Sequence, residues 1–466
     1  MRKWHPSSYC ALLAVIVVLV NGCAHYPLNQ PLDTSGQAIP YEFDQLTAPA
    51  DADETFVVLA FSGGGTRAAA LSYGVLKALR DNRLPDGSGS LLDDVDIIST
   101  VSGGSFTGAY YALFGESIFD NFTEKFLKRN IEKELFLKLF NPYNWVRLAS
   151  PCFNRIDLAA ELYDETIFES KTFGTLVRKA KRPFLIMNAT NLFNGARFEF
   201  TGVQFYYIGS DILTYPIARA VAASSAFPYL LSPITLANYY ETAGCTVKKK
   251  EALALEDYWR NKRRYSAAYN KTLYADQDEH PYVHVMDGGL ADNIGLRAIY
   301  DLYVRGDIRE RINSGRITRF LVIVVNAKTE KSEWCDQKES PPGLMKVGYK
   351  TSTVSMDNYS FETVEMFKEA AGERMKAQQY LTACQKKLDE HSADGFTLPR
   401  IAGGDMKLYV VDLSFNNLSD ETEKDFFNNL PTSFALRESE VERLIEVGGR
   451  LLCEHPEFTR FIAEYE

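Results

Sequence analysis

The sequence predicts an α/β fold: a mainly parallel sheet sandwiched by helices, with an inserted helical segment and a C-terminal α/β extension. Two observations point to it. Short apolar runs rich in β-branched residues recur along the 466 residues, and the first two in the main body each pass through a glycine turn into a helical pattern. With 46% hydrophobic and 13% aromatic residues, the chain can build a sizeable core. The formal charge of −10 speaks against nucleic-acid binding.

From the N-terminus, Arg2 and Lys3 precede Ala11–Val20 (ALLAVIVVLV), an apolar run too short for a comfortable membrane span and right for a signal-peptide core. Val20, Asn21, Gly22 and Cys23 resemble a bacterial lipobox. Residues 1–22 therefore read as a lipoprotein signal peptide and Cys23 as the lipidation site, which would tether the chain to a membrane by acyl chains. Ala24 stands where inner-membrane retention would place an aspartate, so the expected location is the bacterial cell envelope, at the outer membrane. Residues 23–52, with Pro27, Pro31 and Pro40, read as a linker.

Thr55–Phe61 (TFVVLAF) has a strand pattern, and Ala68–Leu79 carries apolar residues at helical spacing. Gly63, Gly64 and Gly65 join them, and bare backbone of this kind can turn its N–H groups toward one point, as an oxyanion hole requires. Arg67 follows closely, placed to steady the loop or to contact an anionic head group. A phosphate-binding loop would use similar glycines, but no G-K-[ST] follows and the dinucleotide fingerprint spacing is absent.

Val95–Val101 (VDIISTV) reads as a buried strand and Phe106–Leu113 as a helix, with Gly103, Gly104 and Ser105 between them. A serine on a sharp strand-to-helix turn is pushed into the site, so Ser105 is the expected nucleophile. Ser102 is its rival; Thr100, however, stands where the glycine preceding such a serine is expected. With Ser105, Thr107 takes the place of the second glycine of G-x-S-x-G. Together the two glycine turns are the equipment of a serine acyl hydrolase.

Such a serine needs a base. Tyr282–Gly295 (YVHVMDGGLADNIG) opens as a strand ending at Asp287, and an aspartate there, beside Gly288 and Gly289, can reach a serine directly. His284 lies an odd number of residues away, hence on the opposite side of the strand. His280 and His284 have the spacing of helical metal ligands, but Pro281 and the β-rich run argue against a helix, so neither a metal nor a cofactor is expected.

Further along the chain, the apolar stretch Leu135–Trp145 (LFLKLFNPYNW) within a helical, aromatic region is expected to pack in the core rather than to cover the site or touch lipid. Arg182–Phe200 and Gln204–Ile208 look like strands, as do Arg319–Asn326 and Met406–Phe415, with helices expected over Thr351–Lys386 and Ser433–Cys453. Residues 238–279 interrupt the pattern as an insertion whose KKKEALALEDYWRNKRRY predicts an amphipathic helix, either a solvated excursion, a lid or a basic patch toward anionic lipid. Beyond Cys10 and Cys23, five cysteines remain, enough for two bridges at most, with Cys335 and Cys384 a conceivable pair.

The G-G-G-x-[KR] loop, the serine elbow and the later D-G-[GA] motif, in that order, resemble the patatin-like phospholipase family. Ala218–Ile234 (ARAVAASSAFPYLLSPI) is similar to the family's proline block between elbow and aspartate, with Phe227 before Pro228 a variation. Position by position, the resemblance implies a Ser105–Asp287 dyad, an oxyanion loop at Gly63, Gly64 and Gly65, and hydrolysis of lipid acyl esters through an acyl-serine intermediate. It implies a catalytic domain over 53–330, with 331–466 as an extension packed on it. A serine esterase or peptidase would instead need a histidine base, and a noncatalytic envelope lipoprotein would need neither serine nor aspartate.

Overall fold

The computed structural model describes residues 24–33, 39–46, 54–83, 87, 89–228, 230–329, 339, 343–391 and 397–465. The leader, Cys23 and Cys335 lie outside them. Eight strands make one sheet: β1 (Thr55–Phe61), β2 (Val95–Val101), β3 (Phe184–Asn191), β4 (Arg197–Phe200), β5 (Ile234–Ala237), β6 (Tyr282–Asp287), β7 (Arg319–Val325) and β8 (Lys407–Leu413). Their order is β5-β6-β3-β2-β1-β7-β8, with β4 also paired to β3. The β3-β2-β1-β7-β8 span is parallel, whereas β4, β5 and β6 pair antiparallel. The fold is thus a mostly parallel α/β sheet flanked by helices. Strands β1, β2 and β3 are buried at every residue, which is why they read as continuous apolar runs rather than alternating ones.

The helices that matter below are α1 (Gly65–Asp81), α2 (Gly103–Phe114), α3 (Ile131–Leu139), α4 (Pro142–Leu148), α5 (Ile217–Ser224), α6 (Lys249–Leu255), α7 (Lys262–Thr272), α8 (Leu344–His391) and α9 (Glu438–Glu454). The 331–466 region joins the same sheet through β8, whose Val410 pairs with Val322 of β7, and its helix α9 lies across α1.

One feature of the register places the site. Strand β3 pairs with β2 over Phe184–Asn188, with β4 over Met187–Thr190 and with β6 over Ala189–Asn191. Because β2 and β4 overlap on β3, they take opposite edges; β6 overlaps β4 and so shares the edge of β2. Strands β2 and β6 therefore meet end to end, with Val101 opposite Asn188 and Asp287 opposite Ala189.

Several expectations change. Gln204–Ile208 is not a strand: Gly202–Tyr206 forms a helical turn capped by the Thr201 hydroxyl. Strand β5 emerges from the proline block unforeseen. The insertion folds as two helices, α6 and α7, packed together and joined by residues 256–261. The Leu135–Trp145 stretch does not pack in the core. The α3–α4 hairpin buries Ile131 and Asn144 and turns Phe136, Leu137, Phe140, Tyr143 and Trp145 outward. Cys152, Cys245, Cys384 and Cys453 are free thiols.

Helices α1 and α9 cross at glycines. A side chain on Gly74 would begin 2.1 Å from the Ile445 carbonyl oxygen, and one on Gly448 would begin 2.5 Å from that of Leu71. Backbone meets backbone there, so nothing flexible can give way. Gly74→Val should destabilise the fold by about 1–3 kcal/mol, the range for overpacking. Gly372→Ala, with nothing within 4 Å, should be harmless. Urea unfolding of the two variants checks both.

Candidate active site

Strand β2 ends in a serine, but it is Ser102. That residue has φ 48° and ψ −117°, a conformation outside the regions open to an ordinary L-residue and typical of a strained elbow between strand and helix. Such strain costs about 1–3 kcal/mol and persists only where surrounding contacts hold it. Here the Ser102 N–H donates to the Ser224 hydroxyl at 2.9 Å, and the Ser224 hydroxyl donates in turn to the Asn188 carbonyl at 2.7 Å. The Asn188 side-chain amide donates to the Ser99 hydroxyl at 2.9 Å and the Thr100 carbonyl at 3.0 Å. The end of β2 is thereby stitched to β3 and to the last residue of α5.

Ser105, the expected elbow residue, lies inside α2. Its N–H donates to the Ser102 carbonyl, and its hydroxyl is fully buried against those of Thr100 (3.0 Å) and Ser224 (2.9 Å). It supports the elbow from behind. The elbow proper reads Thr100-Val101-Ser102-Gly103-Gly104, which is G-x-S-x-G with threonine in the first place. Thr100 is tolerated because the room its side chain needs is left by Gly108 one turn into α2, where an added Cβ would fall 2.5 Å from the Thr100 methyl. The glycine is thus displaced along the chain rather than lost. Thr107 fits the close helix crossing by donating to the Ala69 carbonyl at 2.9 Å.

Asp287 closes β6 where that strand meets β2, with the Ser102 hydroxyl close enough to favour the charged form of its carboxyl. The Gly289 N–H donates to Asp287 Oδ1 at 2.8 Å, while the Asp287 backbone is fixed by its own N–H to Ala226 and by the Thr190 hydroxyl to its carbonyl. Burial pushes the carboxyl up from an ordinary 3.8 to about 7, against the opposing pull of the Gly289 N–H and the nearby Ser102 hydroxyl. His284 is exposed and turns Nδ1 to the Thr235 hydroxyl at 3.0 Å, away from the serine.

The glycine loop sits beside this pair. Gly63 does not offer its N–H, which already donates to the Asn293 carbonyl at 2.9 Å. Gly64 (φ 141°) and Gly65 (φ 62°) hold conformations that disfavour side chains, and their N–H groups, like that of Gly103, have no hydrogen-bond acceptor among the described residues. Gly103 and Gly65 touch: a side chain on Gly103 would begin 2.7 Å from the Gly65 nitrogen. Two helix N-termini, those of α1 and α2, therefore bring their first N–H groups together next to Ser102. Arg67 does not face the site. It is buried, donating from Nε to the Ala327 carbonyl (2.9 Å), from Nη1 to that of Leu430 (2.9 Å) and from Nη2 to the Thr432 hydroxyl (3.0 Å). Its guanidinium fixes the loop to the turn after β7 and to the segment before α9.

A strained serine at a strand end, a buried aspartate and paired helix N-termini on a mostly parallel sheet define an α/β protein of the serine-elbow class. The family model of the patatin-like phospholipases matches residues 59–300. The chain belongs to that family. No curated protein matches the sequence significantly. Among solved structures, human GIVD cytosolic phospholipase A2 is similar at 12% identity with a TM-score of 0.46, over 91% of this chain and 63% of that one. The same human protein in complex with methyl gamma-linolenyl fluorophosphonate and terbium chloride gives 12% identity and a TM-score of 0.38, over 88% and 58%. VipD from Legionella pneumophila gives 13% identity and a TM-score of 0.27, over 91% and 71%. The chain thus spans less than two thirds of the length of the human protein.

The raised carboxyl of Asp287 has a consequence for stability. Between the ordinary 3.8 and about 7 the folded protein keeps a proton that the unfolded chain releases, so this group's contribution to stability falls as pH rises through that window. Asp287→Asn, of the same size and without a charge to bury, should raise the thermal midpoint more at pH 8 than at pH 4. Melting curves at the two pH values check the sign.

Proposed function

We propose that the protein is a lipid acyl hydrolase working through a Ser102–Asp287 dyad. The observation that carries this reading is the meeting of the strained Ser102 at the end of β2 with the buried Asp287 at the end of β6, beside N–H groups that have no acceptor among the described residues. Asp287 takes the serine proton as Oγ attacks the ester carbonyl. The negative charge then passes to the former carbonyl oxygen, which the N–H groups of Gly64, Gly65 and Gly103 receive. Collapse of the tetrahedral intermediate returns the proton from Asp287 to the departing alcohol and leaves an acyl-serine. Water, deprotonated by the same carboxylate, attacks that ester; the fatty acid leaves and Ser102 regains its proton. Membership of the patatin-like phospholipase family supports acyl esters of lipids as the substrate class.

The N-terminus adds a location. The lipobox-like Val20–Cys23 supports processing before Cys23 and attachment to the bacterial envelope, at the outer membrane, by acyl chains on that cysteine.

Two experiments test these readings. A fluorophosphonate probe should label Ser102, located by peptide mass spectrometry, and Ser102→Ala should abolish labelling and lower ester turnover by about 10⁴-fold or more while the protein stays folded. Ser105→Ala should keep the label, and Asp287→Asn should cost at least ~10²-fold in turnover. Label on Ser105, or full turnover in Ser102→Ala, would overturn the dyad. In a bacterial expression host fed a radiolabelled fatty acid, the wild-type protein should take up label and Cys23→Ser should not; equal uptake would place the lipid elsewhere.

A further inference from the structure

The α3–α4 hairpin takes no part in the dyad, yet Phe136, Leu137, Phe140, Tyr143 and Trp145 are each between 57% and 68% exposed. They form a patch rather than scattered rings. Phe136 and Phe140 stand on one side of α3 with their rings 4.7 Å apart, and Trp145 folds back on the end of that helix, its indole N–H donating to the Leu139 carbonyl. Residues 135–146 hold no acidic residue and one cation, Lys138, which is tied to Glu165 at 2.9 Å. The polar groups of the turn are also satisfied from within: the Asn141 side chain accepts the Tyr143 N–H at 3.0 Å, and the Asn144 amide donates to the Lys138 carbonyl at 2.9 Å. The hairpin can therefore leave water without stranding these donors. An apolar patch of this kind, left uncovered by the described residues, marks an interaction site.

The chain's own N-terminus indicates what covers it. The Ala24 carbonyl accepts the Ser150 hydroxyl, and the Tyr26 N–H donates to the Cys152 carbonyl at 2.7 Å, so residues 24–26 run along the segment directly after α4. Cys23 is bonded to Ala24, and successive Cα atoms lie about 3.8 Å apart. Acyl chains on that cysteine would begin beside the hairpin. At its other end the hairpin stands next to the glycine loop. The Ile131 N–H donates to the Phe434 carbonyl at 3.1 Å, and the Phe434 N–H donates back to the Glu132 carboxylate at 2.8 Å. The adjoining Ser433 carbonyl takes the Thr66 N–H at 2.9 Å, and a side chain on Gly65 would begin 2.4 Å from it.

We propose that the α3–α4 hairpin is a second, apolar point of contact with the bilayer that holds the Cys23 acyl chains, with Phe136, Leu137, Phe140, Tyr143 and Trp145 entering its hydrocarbon edge. This surface rests on the reading of Cys23 as the lipidation site. Two contacts, one covalent and one apolar, fix the orientation of the domain, with the foot of the hairpin beside the loop that serves Ser102.

The test reads docking apart from both hydrolysis and acylation. Of the four tryptophans, Trp4 leaves with the leader and Trp145, Trp259 and Trp334 remain. The lipidated protein carrying Ser102→Ala, so that no lipid is consumed, is purified from host membranes and reconstituted into phosphatidylcholine vesicles with or without bromine on the acyl chains. Bromine should quench the tryptophan emission, and about 1 M salt, where the Debye length is about 3 Å, should leave the quenching unchanged. Trp145→Phe should remove most of it. So should Phe136→Ser, Leu137→Ser and Phe140→Ser together, without shifting the melting temperature, because these side chains are exposed. Quenching that survives Trp145→Phe, or that disappears in high salt, would overturn the surface. Trp145 unquenched, with a dimer in light scattering that the three serine changes dissolve, would assign the patch to a second copy of the chain and overturn it as well. The mass of the N-terminal peptide from the same sample reports acylation separately: quenching without acylation would sink the anchor and leave the hairpin contact standing, whereas acylation without quenching would sink the hairpin alone. Neither outcome depends on what the dyad hydrolyses.

Discussion

The site depends on one strand edge. Strand β3 accepts β2 along its first half and β6 along its last three residues, and because β4 fills the other edge, those two partners can only meet head to head. A serine at the end of one and an aspartate at the end of the other then face each other without any loop having to close over them. The antiparallel sense of β6 is required for this, since a parallel strand in that place would bring its amino end to the serine. Asn188, opposite the last residue of β2, serves both partners: its side chain holds the strand end of Ser99 and Thr100, and its carbonyl fixes the Ser224 hydroxyl that receives the strained Ser102 N–H. The strain at Ser102 is thus held by buried hydrogen bonds that the sheet itself sets in place.

The glycine loop depends on the same sheet through a different neighbour. It follows β1, which lies between β2 and β7, so the start of α1 is brought alongside the start of α2. N–H groups at buried helix starts normally find an acceptor, and several here do: Gly63 uses the Asn293 carbonyl, Thr66 the Ser433 carbonyl and Gly104 the Ser62 carbonyl. Gly64, Gly65 and Gly103 are exceptions gathered at one place, and Arg67 keeps them so by anchoring the loop on its far side. A guanidinium spent on two carbonyls and a hydroxyl is a fastening, which explains why a positive charge two residues from the glycines never reaches the cleft.

Much of this was legible in the sequence, and what was not has physical causes. Strands β1, β2, β6, β7 and β8 announced themselves as apolar runs of the right length, and the end of β6 at Asp287 was legible from the two glycines that follow it. The elbow was misplaced by three residues. The rule that failed was the demand for a glycine before the serine; the chain meets the steric need by leaving out the Cβ at 108 instead of at 100, a compensation across a helix–strand contact that linear spacing cannot reveal. The T-V-S-G-G stretch was the available signal. Gly63 was misjudged, and the choice between the two uses expected of Arg67 stayed open, because their partners, Asn293, Ala327 and Leu430, lie hundreds of residues away. The outward apolar face of Leu135–Trp145 was ranked behind core packing because hydrophobicity predicts a preference for burial and carries no information on whether a partner element exists.

A lone aspartate is a weak base at its ordinary pKa, and burial is what changes that. In the cleft the carboxyl is brought to about 7, near the basicity of an imidazole, while the Gly289 N–H prevents it from rising so far that it would remain protonated. The choice has an electrostatic corollary for the proposed reaction. When the proton moves from Ser102 to Asp287, the carboxylate becomes neutral as the oxyanion appears, so the site carries one negative charge throughout and never separates two. A histidine base would instead create a cation opposite the oxyanion and would need a third group to orient and stabilise it. With an aspartate, neutral backbone N–H groups suffice. That accounts for a cleft in which Arg67 is spent on the carbonyls of Ala327 and Leu430 and His284 faces the other side of β6.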